Sequence, residues 1–351
     1  MPNAQPGPDT SVSETYLQIS PNILASFPRN KLPVDFYSFS PERFGMRLLY
    51  LAGQRVSDPV QAEMQRLSAE GALFLSRKDY RVYAVHLSKN LGLVLTETGL
   101  NEQEAAELFF VGLTARVRDF LDQPLEQRLD ALRADAAVLA EYVWIDPCRI
   151  GFLLRTLRRK YDLAAHSVNS ALVGLGLYLM QAGKSAQKLA PLDIVLGLAL
   201  HDIGMSKVPG FVITKEANLM RQERESIENH VDIALAILER LRVQSEPVRR
   251  CVAEHHERFD GSGYPRGLKG GAISLEGRIC AIADAFVAMT SERPHRPAMD
   301  PARAARTLLA AKGAYDPVLC RMLVELLARG LPQCRAGGEG EEGGEQGGGE
   351  G

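Results

Sequence analysis

Residues 191–205 read PLDIVLGLALHDIGM. The stretch is an apolar helix that ends in His201 and Asp202, with Gly204 just past them as its terminator. Ionisable residues placed directly after VLGLAL are costly in a protein core unless a partner meets them. A divalent metal ion is such a partner, because neutral imidazole and carboxylate are its usual ligands.

Working outward, the same kind of placement recurs. His166 lies in DLAAHSVNSALVGLGLYLM (162–180), a predicted helix with Asp162 four residues earlier on the same face. His230 lies at the edge of the apolar face of RQERESIENHVDIALAILERL (221–241). His255 and His256 end EPVRRCVAEHHERF (246–259), and Asp284 sits inside ICAIADAFVAMT (279–290). Five of the seven histidines thus fall on successive helical segments in the second part of the chain. A single histidine at an apolar boundary is more often a hydrogen-bonded core residue, and His86 and His295 read that way. The joint pattern of a histidine–aspartate pair, a later histidine, a histidine pair and a buried aspartate is better explained by one metal site.

A glycine-rich stretch, DGSGYPRGLKGGAIS (260–274), follows the histidine pair. Gly261 and Gly263 permit a tight backbone, Pro265 fixes one dihedral, and Asp260 opens the turn. Tyr264 can stand at the mouth of the site. Arg293 and Arg296 follow Asp284, and guanidinium groups suit phosphate.

In this order, the residues His166-Ser167-Val168, His201-Asp202-Ile203-Gly204, His230, His255-His256-Glu257-Arg258, Asp260-Gly261-Ser262-Gly263-Tyr264-Pro265, Asp284 and Ser291-Glu292-Arg293-Pro294 resemble the HD-GYP domain, a branch of the HD metallophosphohydrolase superfamily. The match runs over about residues 155–325. The resemblance implies an all-helical bundle holding two divalent metals, iron or manganese, between helices. One metal takes His166, His201, Asp202 and Asp284. The other takes His230, His255 and His256, with Asp202 as the bridge. A third metal in some members uses a glutamate where this chain has the shorter Asp162. The implied activity is hydrolysis of cyclic di-GMP to pGpG, and on to GMP, by a metal-bridging hydroxide. Tyr264, Arg293 and Arg296 are the implied substrate contacts. The family's HDIGK lysine is Met205 here, and Lys207 lies two residues on as its substitute. Val287 and His295 stand where aspartate and tyrosine are frequent. These departures keep two alternatives open: a sensor or scaffold that binds cyclic di-GMP or a diguanylate cyclase without turnover, and a hydrolase of another cyclic dinucleotide.

The rest of the chain sets the frame. Expected is a mainly α protein: an all-helical HD-type bundle with a small α+β N-terminal domain. Residues 1–14 and the tail 336–351, rich in glycine and glutamate, are expected to be disordered. Residues 15–100 read as the α+β unit, regulatory or dimerising in role. Within it ALFLSRKDYRVYAVHL (72–87) reads as strand, turn and strand, and DPVQAEMQRLSAEG (58–71) as a helix capped by Asp58. Residues 101–150 read as connecting helices, and 151–332 as the HD-GYP domain. A net charge of −2 gives no basic field for duplex DNA or RNA. Five scattered cysteines without a CxxC pair fit a reducing compartment. With no secretory signal at its start and no apolar run of membrane-spanning length, the protein is expected in the cytoplasm.

Overall fold

The computed structural model describes residues 15–28, 30–40, 45–96, 100–182, 190–213, 220–293, 296–311 and 313–334. Both terminal segments expected to be disordered fall outside these residues, and so does His295.

The N-terminal part is a four-stranded antiparallel sheet with order β1-β4-β2-β3. Its strands are β1 (Tyr16–Gln18), β2 (Phe36–Ser40), β3 (Gly45–Tyr50) and β4 (Leu73–Ser76). Leu75 pairs with Leu17 on one side and Phe36 on the other, and all three are buried. Alternation of this kind turns one sheet face to the core. The helices α1 (Pro21–Ser26), α2 (Asp58–Ala69) and α3 (Tyr80–Ser88) complete this part.

Two local expectations fail here. The second strand expected in 72–87 is the helix α3. Its buried apolar residues, Tyr83 and Leu87, are four apart, while the β-branched Val82 and Val85 that suggested a strand face solvent. Burial at helical spacing outweighed β propensity. The cap of α2 is Ser57, with Asp58 as its first helical residue, followed by Pro59.

The helices that follow form the bundle. Asn101 and Glu104 make a capping box, each side chain accepting from the other's backbone N–H at 2.9 and 3.0 Å, and this starts α4 (Glu102–Asp122). Next come α5 (Glu126–Ile145), α6 (Ile150–Arg155), α7 (Leu163–Ala182) and α8 (Ala190–Leu200). Then α9 (Gly210–Ile213), α10 (Arg221–Glu228), α11 (His230–Arg240) and α12 (Glu246–Glu254) follow, and α13 (Leu275–Thr290), α14 (Pro301–Leu309) and α15 (Pro317–Arg329) close the fold. The central helix α7 packs on α4, α8, α13 and α15. α5 packs on α8, so residues 101–150 are walls of the bundle as well as a connection. A continuous buried core runs from Leu17 to Leu331.

By length and composition α7 is apolar enough to cross a membrane, with 83% of its apolar window buried inside the protein. Its apolarity is accounted for by neighbours on every side.

A disulfide joins Cys148 to Cys334, with 5.4 Å between their Cα atoms. The two lie 186 residues apart, so local spacing carries no trace of the pairing. Cys251, Cys280 and Cys320 are free and buried.

Candidate metal centre

Three helix ends deliver three of the histidines. His201 follows the last residue of α8, His255 follows the last residue of α12, and His230 begins α11 just after α10. The 221–241 segment expected as one helix is therefore two, broken at Asn229. Each break has the same use. A helix C-terminus leaves carbonyls without intrahelical partners. The Nδ1–H of His201 donates to the Leu198 carbonyl at 2.6 Å, that of His230 to Ile227 at 2.5 Å, and that of His255 to Val252 at 2.9 Å. A carbonyl can only accept, so Nδ1 carries the proton in all three rings. In each neutral ring Nε2 is left as the lone-pair atom, the arrangement that orients a metal-binding histidine.

The other ligand candidates come from α7 and α13. His166 lies in the first turn of α7, held by a hydrogen bond from its backbone N–H to the Asp162 carbonyl at 2.7 Å. Asp284 lies within α13. All seven candidates converge. His166, His201, Asp202 and Asp284 form one group, and Asp202, His230, His255 and His256 form another; in each, the donor atoms lie within 4.8 Å of one another. Asp202 belongs to both. Its Oδ2 faces His201 Nε2 at 3.4 Å and His166 Nε2 at 3.5 Å, while its Oδ1 faces His230 Nε2 at 3.3 Å and His255 Nε2 at 3.7 Å.

The donor set fits a pair of divalent cations. His201 Nε2 is buried without a hydrogen-bond partner. His230 Nε2 and His255 Nε2 face each other at 3.0 Å, although Nδ1 already carries the proton in both rings. Two lone pairs at that separation repel unless a proton or a cation lies with them. The C-terminal ends of α8, α10 and α12 add their negative dipole ends to the two carboxylates.

The electrostatics of the metal-free cluster match. Burial disfavours charge on His201, but Asp202 and Asp284 outweigh it and raise its pKa to about 9. Burial likewise opposes charge on His230, and its bond to Asp202 still raises it. Burial drives His255 well down and His256 down to about 4, with neighbouring imidazoles adding to the fall at His255. Burial would raise Asp202 and Asp284, yet the histidines around them hold both well below the ordinary carboxylate range. Without a cation, Asp202 and Asp284 therefore keep a proton on His201 up to a pH of about 9, and a cation must displace it. Metal uptake at neutral pH is expected to release protons. The apparent affinity should weaken by about tenfold per pH unit, for each proton displaced, as pH falls from 8 to 6. Calorimetric titrations in buffers of different ionisation heat would count those protons; affinity independent of pH over that range would contradict the assignment.

The remaining candidates divide. Tyr264 stacks on His256, with ring centroids 4.7 Å apart and planes 28° apart. Burial pushes its phenol above the usual range, so it is a neutral hydrogen-bond donor. Gly263 is dictated by crowding, since a Cβ there would lie 2.3 Å from the Arg258 nitrogen. Gly261 adopts φ +88°, and Pro265 follows Tyr264 through a cis peptide. Asp260 is exposed, and its Oδ1 accepts from the N–H and hydroxyl of Ser262, which shapes the loop. Arg293 lies over the Tyr161 ring, 4.7 Å from its centroid. Arg296 is exposed and donates to the Ala288 carbonyl at 2.7 Å. Lys207 is exposed at the end of the turn after Asp202. Asp162 is outside both groups; its Oδ2 accepts from Arg118 at 2.7 Å and from the Ala165 N–H at 3.1 Å. Gly204 lacks the positive φ of a helix terminator, and its importance lies in close packing against His230.

Sequence reasoning gave no role to two supports. Tyr161 lies beside His166, with ring centroids 6.0 Å apart. Burial and the charge of Asp202 raise its phenol to about 12. Glu257 is buried, and its carboxylate accepts from the backbone N–H groups of Arg266 at 2.8 Å and Leu268 at 2.9 Å. Its place beside the histidine pair was the available signal. Glu257→Ala takes the acceptor from both part-buried N–H groups and is expected to cost about 1–3 kcal/mol. Denaturant unfolding measures this, and a loss below about 0.5 kcal/mol would deny the anchoring role.

Comparison with known proteins places this geometry. Residues 165–319 match the model of the HD domain family. Over 160 residues the chain is 36% identical to the cyclic di-GMP phosphodiesterase response regulator RpfG of Xanthomonas campestris, covering 45% of this chain and 41% of that protein. Over 253 residues it is 28% identical to the 3'3'-cGAMP-specific phosphodiesterase 2 of Vibrio cholerae, covering 66% of this chain and 47% of that one. The chain thus spans less than half the length of these curated relatives. The solved structure of Bd1817, an HDG"Y"P protein from Bdellovibrio bacteriovorus, superposes with a TM-score of 0.60 at 16% identity, covering 89% of this chain and 99% of that one, and so shares the fold. Residues 165–319 are an HD domain. Within that superfamily, the ordered residues of this segment are similar to the HD-GYP branch.

Proposed function

We propose that this protein is a metal-dependent phosphodiesterase that opens cyclic di-GMP to pGpG. The observation that carries the proposal is Asp202, whose two oxygens each face one group of histidines. One carboxylate between two donor sets is the arrangement two nearby cations need. Iron or manganese suits this histidine-rich set better than magnesium. His166, His201 and Asp284 would hold one cation and His230, His255 and His256 the other. Bound cations supply Lewis acidity, neutralising phosphoryl charge and lowering the pKa of nearby water.

The chain's own groups do the rest. The Nδ1–carbonyl bonds keep His201, His230 and His255 in one tautomer and orientation. Tyr264, held neutral and stacked on His256, can donate a hydrogen bond to a phosphate oxygen or stack on a base. Arg293 supplies positive charge for the phosphate. The hydrolase function is assigned to residues 151–332, which contain every group named.

A second substrate, 3'3'-cGAMP, is favoured by one observation: the relative named for it aligns over the longer stretch, 253 residues against 160. The test is anaerobic purification with iron or manganese, followed by turnover assays on both dinucleotides with product identification. Conversion of cyclic di-GMP to pGpG supports the first reading. Turnover of 3'3'-cGAMP alone supports the second. No turnover of either, with metal bound, overturns both and favours a binding or scaffold role.

A further inference from the structure

Arg293 is held in a way no motif indicates. Its flank is pinned where the segment entering α7 runs beside the segment leaving α13. The Glu292 N–H donates to the Arg159 carbonyl at 2.6 Å, and Lys160 and Glu292 form a parallel bridge. Arg293 and Arg296 exchange backbone hydrogen bonds at 2.9 and 3.0 Å, which fixes the Arg293 main chain. The side chain has no carboxylate partner among the described residues, and its Nε is buried without a hydrogen bond. Among the described residues its guanidinium lies against the face of Tyr161. The same tyrosine borders His166, so one ring neighbours both the guanidinium and the first donor group.

A cation over an aromatic face is attracted by the ring quadrupole, and the contact restricts a long side chain without neutralising it. A carboxylate partner would hold the arginine as firmly but would cancel the charge that an anionic substrate needs. We propose that Tyr161 is a positioning residue, whose ring face holds the Arg293 guanidinium beside the metal centre, charged and unpaired, to receive a substrate phosphate. This rests on the phosphodiesterase reading for its substrate, while the ring–guanidinium contact can be tested separately.

The experiment compares Tyr161→Leu and Tyr161→Phe with wild type in the metal-loaded full chain. Tyr161→Leu should raise KM for the dinucleotide by about tenfold, with kcat within about twofold and metal content unchanged. Tyr161→Phe, which keeps the ring face, should restore the wild-type KM. In parallel, the Arg293 Nε–Hε resonance, assigned with Arg293→Lys, should be shifted upfield by the ring in wild type and Tyr161→Phe, and lose that shift in Tyr161→Leu. An unchanged KM in Tyr161→Leu would overturn the proposal, as would loss of metal from that variant. Failure of Tyr161→Phe to rescue would assign the effect to the hydroxyl and equally overturn it. If wild type turns over neither dinucleotide, the function assignment fails, and the resonance still decides the contact: a shift that is absent, or insensitive to Tyr161→Leu, refutes it.

Discussion

Asp202→Ala is expected to empty both metal groups and to lower kcat/KM by at least about a thousandfold. Four histidine Nε2 atoms lie within 3.7 Å of this one carboxylate, two on each oxygen. Removing it takes a ligand from each group at once and removes the negative charge between them. What remains is a set of buried imidazoles with Asp284 on one side only. The other ligand candidates each belong to a single group, so His256→Ala should spare metal in the group of His166. Elemental analysis of the two variants, beside their kinetics, separates these cases. Full occupancy of either group in Asp202→Ala would contradict the bridging role.

Gly204→Ala should produce the largest structural effect of a single methyl group. A Cβ at this position would lie 1.9 Å from the His230 carbonyl oxygen and 2.7 Å from its carbon. Both are backbone atoms, so no side-chain rotation relieves the clash. The start of α11 must move away, and His230 with it, breaking its approach to Asp202 at 3.3 Å and to His255 at 3.0 Å. A stability loss of about 3 kcal/mol or more is expected, together with loss of metal from the His230 group. Gly151→Ala is the control, because a Cβ there meets nothing within 4 Å. It should be neutral or slightly stabilising inside α6. Equal behaviour of the two variants in thermal unfolding would refute the close-packing account.

The metal centre was legible because its chemistry is costly anywhere else. Histidine and aspartate after VLGLAL, a histidine pair before a glycine-rich loop and an aspartate inside ICAIADAFVAMT each need a partner in the interior. The helical class was legible for a similar reason, since apolar spacing of three and four residues persists from Asn101 onward. What escaped notice depends on backbone geometry or on distant segments. The carbonyls that fix His201, His230 and His255 exist only because helices stop at those places, and one of those stops, at Asn229, carries neither glycine nor proline. Tyr161 reaches Arg293 across 132 positions, and Cys148 reaches Cys334 across 186. No periodicity records such pairings. In α3 the error came from the opposite source: Val82 and Val85 read as strand residues, while Tyr83 and Leu87 decided the burial.

The central claim is that seven side chains hold two cations around one shared carboxylate. Stoichiometric metal titration of the metal-free full chain under anaerobic conditions, read by elemental analysis after desalting, tests it most directly. The expected result is about two equivalents of iron or manganese per chain in wild type, with binding lost from both groups in Asp202→Ala. Retention of no metal by folded wild-type protein, or an unchanged two equivalents in Asp202→Ala, would contradict it.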